Sequence, residues 1–359
     1  MPDESTQPTT SVPTDPADTE PTAESASHPP AAIGTLWLAA LALGWLALMV
    51  RSTQVSLAGL EDTVVVTAAA IGLPAAISAA LVCGAGIGLA VRHLFRAHHA
   101  PPIVRFGTAL GAGLLTGVAT GATLALTASS AEQSLVLLLS GAVAAAATIG
   151  GAIAGIRAGA VVGAGVASSL AVFLLTLLRE LFTTPLLTLF GADHTDPVSL
   201  LTAQRWLGLT TSLLGGVLAG LVAFAYLRRA ARRGGDAPRW PAYLWAGGGA
   251  GVMLLLTEVI TLAGGSRLLS WARAISEGDS IYQDLAYRSR TNAALMVFFV
   301  GAIIAIIAFG RTLPSREEES PAEHAKQAPS GRAEEAPSAE ETGHDAAEGA
   351  TVTSGDPRA

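Results

Sequence analysis

Cysteine and lysine are nearly absent from this sequence, with Cys83 and Lys326 their only representatives. A lone thiol inside an apolar stretch forms no intrachain disulfide and supplies no Cys-x-x-Cys metal or redox pair. Charge of either sign is sparse, at 14% of residues against about 25% in soluble globular chains. The sequence holds no GxxxxGK[ST] loop, no HExxH pair and no GxSxG elbow. Nucleotide hydrolysis, zinc proteolysis and esterase chemistry therefore lack their usual machinery. The expectation is a protein that is not an enzyme, carries no cofactor and binds no nucleic acid, since its basic segments are short and adjoin apolar runs.

What the chain has in excess is apolar residue, 51% of the total, with a mean hydropathy of +0.50. Lipid has to absorb that excess. Eight runs are long enough to cross a bilayer, near 33–50, 63–90, 103–127, 134–156, 158–178, 206–228, 243–265 and 291–311. Hydrocarbon offers no water to backbone N–H and C=O groups, so the runs must be helices. The fold class expected is all-α, a polytopic transmembrane helix bundle of about eight spans with disordered tails. The count depends on a break between the fourth and fifth runs, which together would make a helix of about 67 Å against a hydrocarbon core of about 30 Å. "GGAIAGIRAGAVVGAG" supplies one, with Arg157 set among glycines; without it the count is seven. Pro74, in the second run, is the clearest kink candidate.

Charge divides the chain into three parts. Residues 1–32 carry six acids and no Lys or Arg, and residues 312–359 carry eleven acids against four bases. Both are poor in large apolar side chains and are expected to be disordered acidic cytoplasmic tails. The transmembrane domain, 33–311, holds seventeen arginines against eleven acids. Arginines cluster in "RHLFRAHHAPPIVR", at Arg157 and in "RRAARRGGDAPR", which share a side with both tails if there are eight spans. The positive-inside rule then places both termini in the cytoplasm of a cell-membrane protein. Because acids precede the first run, it is expected to be a retained span, not a cleaved signal. The arginine-rich loops are expected to touch anionic lipid, and the tails to recruit cytoplasmic partners.

Two patterns concern packing. Gly113, Gly117 and Gly121, and again Gly151, Gly155, Gly159 and Gly163, recur at four-residue spacing, which on a helix makes one face that a neighbouring backbone can approach closely. Such faces pack helices within a chain and, more rarely, join two copies into a homo-oligomer. Residues 92–111 and 229–248 also align at constant offset, pairing Arg92 with Arg229, Pro101 with Pro238, Phe106 with Tyr243, Ala109 with Ala246 and Gly111 with Gly248. The match suggests two parallel four-helix halves, an arrangement used by transporters.

One carboxylate lies inside a span: Glu258, in "GVMLLLTEVITLAGG", flanked by Thr257 and Thr261. A charge in hydrocarbon is costly, so Glu258 must face water or a partner. The expected ion-pair partners are Arg51, Arg179 and Arg205, each near the outer end of a span. A proton or cation site formed by Glu258, Thr257 and Thr261 is the functional alternative. No metal site is expected. His93, His98 and His99 crowd one loop without acids, and Asp193, His194 and Asp196 occupy a turn-like "GADHTDP". Two short apolar stretches lie in the outer loops. In one, Leu268, Leu269, Trp271 and Ile275 form the expected buried face of an interfacial helix. The leading functional reading is a transporter- or permease-like bundle built around Glu258. The alternative is a non-catalytic scaffold that assembles partners through its tails, and a weaker third reading is a transferase using Asp193 and Asp196.

Overall fold

The computed structural model describes residues 30–57, 62–96, 101–127, 133–156, 158–193, 195–233, 239–275 and 277–312. The expected tails fall almost wholly outside these residues, as do Arg157, Asp236, His98, His99 and His194. Among the described residues every regular element is a helix: α1 (Pro30–Leu57), α2 (Asp62–Arg96), α3 (Pro102–Thr127), α4 (Gln133–Gly155), α5 (Gly159–Leu181), α6 (Thr183–Leu189), α7 (Pro197–Arg232), α8 (Trp240–Gly247), α9 (Gly249–Gly264), α10 (Ser266–Ile275) and α11 (Glu277–Gly310). Seven of them are long and apolar enough to cross a membrane, and α8 with α9 makes an eighth, bent by 49° at its break. The protein is a multi-pass membrane protein.

The helices fall into two groups of four crossings. In the first, α4 packs on both α2 and α3, and α1 packs on α2. In the second, α11 packs on both α7 and the α8–α9 pair, and α5 packs on α7. The neighbour pattern repeats with one exception: α5 also packs along α8 and α9, whereas α1 barely touches α3. Glycine makes both groups possible. A methyl on Gly84 of α2 would overlap the Ala147 carbonyl of α4, and one on Gly151 of α4 would overlap the Ala109 carbonyl of α3. Gly301 of α11 takes the matching place, where a methyl would overlap the Gly247 carbonyl of α8 and crowd the Gly216 carbonyl of α7. Lipid gives helices no hydrophobic reason to associate, so this close approach, with its dispersion contacts, holds the crossings together.

The glycine rows have definite neighbours. Gly113, Gly117 and Gly121 lie along α4 against Ala147 and Gly151, Ala144 and Ser140 in turn, and Ser140 donates its hydroxyl to the Gly121 carbonyl at 2.9 Å. Gly155 lies under the Phe106 ring. Beyond the turn the row changes partners, Gly159 facing the Arg92 guanidinium and Gly163 the Tyr226 hydroxyl. Arg92 fixes that turn: its guanidinium donates to the Ala154 carbonyl at 3.0 Å and also to the Ile156 carbonyl, satisfying the exposed C-terminal end of α4.

α2 is the central helix of the first group, its residues from Ala69 to Ala85 mostly sealed from solvent and lipid. A helix apolar all round is expected where it is surrounded by others. It continues as one helix through Pro74, and a separate break falls at Gly248, between α8 and α9. Three consecutive glycines, Gly247 to Gly249, leave α8 and α9 free to bend. The Phe298 ring of α11 sits against Gly248, and its backbone against Gly251.

α9 lies between the groups, packed on α2 and α4 on one side and α5 and α11 on the other. Trp45 of α1 and Phe173 of α5 add a stacked link, ring centroids 4.7 Å apart. At 36 and 34 residues, α7 and α11 exceed what a bilayer needs, so each projects beyond it. The α11 helix starts fourteen residues before the run expected at 291–311. Ahead of it, α10 buries Leu268, Leu269 and Ala272 but leaves Trp271 and Ile275 39% and 41% exposed, so the buried face is rotated from the one expected.

Candidate functional site

Glu258 stands on α9, about 10 Å of helix from the Gly265 cap and therefore in the half of the crossing nearer α10. It is 6% exposed. Its carboxylate is held by Arg290 of α11, which donates Nε to Oε1 at 2.8 Å and a terminal nitrogen to Oε2 at 3.5 Å. The side-on approach uses the guanidinium fork against both carboxylate oxygens, the geometry that suits arginine better than lysine. Arg290 keeps about a third of its side chain exposed, so the pair is sealed on the Glu258 side and open on the Arg290 side.

The two threonines flanking Glu258 direct their hydroxyl protons along α9. Thr257 donates to the Met253 carbonyl at 2.9 Å and Thr261 to the Thr257 carbonyl at 2.8 Å, both within α9. Their hydroxyl protons are thus committed to the helix backbone, the usual recourse of buried threonine in an apolar setting. Beyond the pair, α11 carries Gln283, 3% exposed, and Thr291; Gln283 Nε2 and Thr291 Oγ1 are buried without a hydrogen-bond partner. Gln283, Arg290, Ala294, Val297 and Gly301 recur at helical spacing on the inward side of α11.

Arg290 is not among the three arginines expected to neutralise Glu258. Arg51 and Arg205 are exposed, and Arg179 pairs instead with Glu180 at 2.9 Å. The carboxylates of the "GADHTDP" turn are occupied as well. Asp196 caps α7 by accepting from the Val198 and Ser199 amides at 3.0 and 3.2 Å, with Pro197 at the first helical position. Asp193 accepts from the Thr195 amide and hydroxyl at 2.9 and 2.7 Å. Among the described residues no three His, Cys, Asp or Glu side chains converge as metal ligands would.

Two turns deeper than Glu258, an apolar crevice lined by Ser169, Val172, Phe173, Ala250, Met253 and Leu254 separates α5 from α9. It is too narrow for a water molecule. Ser169, its one polar group, donates to the Gly165 carbonyl at 2.8 Å. The crevice adjoins the break at Gly248, so the bend, the crevice and the ion pair follow one another along the helix that separates the two groups. Chemically this is a charge-neutral contact between two helices. Comparison with family models, with curated proteins and with solved structures returned no match to this chain.

Proposed function

We propose that this chain is a transporter-like membrane protein in which α8–α9 is the moving element and Glu258–Arg290 its outer latch. The observation that carries the reading is the placement of a helix broken at Gly248 between two similarly packed four-helix groups. Interrupted helices at the junction of repeated halves are where transporters bind and move their cargo. The latch gives the buried carboxylate a role without a free charge: closing compensates both groups, and opening admits water from the outer side. In this reading the arginine-rich ends face the cytoplasm, which puts both termini there in a cell membrane, and no step is enzymatic.

Water access to the crevice tests the proposal without knowing the cargo. In a Cys83→Ser background, a cysteine at Leu254 is exposed to a membrane-impermeant thiol reagent added to either face of sealed proteoliposomes. The transport reading expects labelling, and expects Arg290→Gln to raise labelling from the outer face several-fold. Absence of labelling from both faces, with and without Arg290→Gln, contradicts it. That outcome is what the second reading, a closed scaffold, requires, and the backbone-to-backbone glycine packing favours that alternative.

A further inference from the structure

The end of α7 on the side of Arg92 and Arg233 carries a feature unrelated to the latch. Phe224, Ala225, Arg228, Arg229 and Arg232 line an open cleft of about 470 Å³. These residues continue the outward face of α7, on which Leu214 and Leu221 are 51% and 49% exposed and so lie against acyl chains. The face is therefore apolar along the bilayer and turns basic where the headgroups begin. Arg228 lies over the Phe224 ring, 5.9 Å from its centroid, and Phe224 is braced by Tyr243 at 5.9 Å.

Nothing in the chain's described part neutralises the three arginines. All three described ion pairs, Arg179–Glu180, Arg273–Asp284 and Arg290–Glu258, lie at the other ends of the helices. So does every described carboxylate side chain, and Asp62, the one acid of α2, begins that helix at the end opposite Arg92. A helix C-terminus favours nearby cations, but that interaction acts along the axis and does not require three guanidinium groups in a lateral cleft.

We infer that this cleft binds the phosphodiester headgroup of an anionic phospholipid, with its acyl chains on the Leu214–Leu221 face of α7. Arg228 and Arg229 contribute two directions of approach to the phosphate oxygens, Arg232 a third from the aqueous side, and Phe224 holds Arg228 in place while contacting the glycerol region. Guanidinium forks suit phosphate oxygens, and the adjoining apolar stripe selects a lipid over a soluble phosphate. The inference needs the membrane setting but not the transport reading.

Native mass spectrometry of the full chain, in a neutral detergent with phosphatidylglycerol or phosphatidylcholine added, reads the site directly. Phosphatidylglycerol is expected to be retained and phosphatidylcholine lost. The triple variant Arg228→Gln, Arg229→Gln, Arg232→Gln is expected to bind phosphatidylglycerol about 100-fold more weakly, at roughly fivefold per arginine. A control variant, Arg105→Gln with Arg239→Gln and Arg311→Gln, is expected to keep it. Equal retention of the two lipids, unchanged binding by the triple variant, an equal loss in the control, or full competition by millimolar inorganic phosphate each overturns the inference. Matching circular dichroism and elution profiles for both variants separate lost binding from lost folding.

Discussion

The two four-helix groups share a neighbour pattern but not a chemistry. α1–α4 has close small-residue contacts, Gly84 on Ala147, Gly151 on Ala109 and the row Gly113, Gly117, Gly121 along α4, within a Leu-, Ile- and Val-rich core and with Arg92 bonded to the end of α4. The group from α5 to α11 uses the same device at Gly216, Gly247 and Gly301, yet it also contains a broken crossing, a buried ion pair and two short helices outside the spans. Where α3 runs unbroken through Gly111, the aligned Gly248 is a bend. Close glycine contact recurs in both groups, and the broken crossing and the ion pair belong to the second alone. They concentrate on and beside α9, the helix packed against both groups.

The largest expected effect breaks the shared device. Gly84→Leu forces a side chain into the Ala147 backbone and Gly301→Leu does the same against Gly247. Each should cost about 3 kcal/mol or more and abolish a monodisperse elution profile in detergent. Gly141→Leu, which meets nothing within 4 Å, should elute as the unaltered protein does. If Gly84→Leu and Gly301→Leu differ sharply, the two groups do not depend on glycine alike.

Next comes the feature found only in the second group. Arg290→Ala leaves Glu258 buried and uncompensated, at about 3 kcal/mol, discounted from a fully buried pair because Arg290 is a third exposed. Arg51→Ala and Arg205→Ala, on exposed side chains, should stay within about 0.5 kcal/mol in thermal unfolding. Smaller again is Arg92→Ala, which strips the carbonyl end of α4 of its charged donor. It should lower stability by about 1.5 kcal/mol and speed limited proteolysis at residues 156–158. Asp196→Ala, which removes the cap of α7, should cost about 1 kcal/mol by the same unfolding measurement.

The crossings were legible in the sequence because apolar length is a local property: each of the eight runs coincides with a helix or, for α8–α9, a pair of them. The turn at 156–158 was legible too, since one uninterrupted helix over both runs exceeds any bilayer. Two features escaped for physical reasons. Hydropathy ends the last run at Thr291, but the helix does not end there: residues 277–290 carry too much charge to read as a span, while Gln283 and Arg290 continue its inward face. Arg290 therefore looked like a loop residue. The signal that identifies it is periodicity, Gln283, Arg290, Ala294, Val297 and Gly301 sharing one side of a helix. The bend at Gly248 is visible as three adjacent glycines, although proline carries the stronger local penalty and draws attention to Pro74 first.

The pairing of Glu258 with Arg290 is the claim on which the latch rests, and a thermal double-variant cycle in detergent reads it most directly. Arg290→Met alone should be strongly destabilised, and adding Glu258→Met should recover about 2 kcal/mol, because an apolar pair replaces a stranded carboxylate. If the two substitutions add within about 0.5 kcal/mol, these side chains do not sense one another and the latch does not exist.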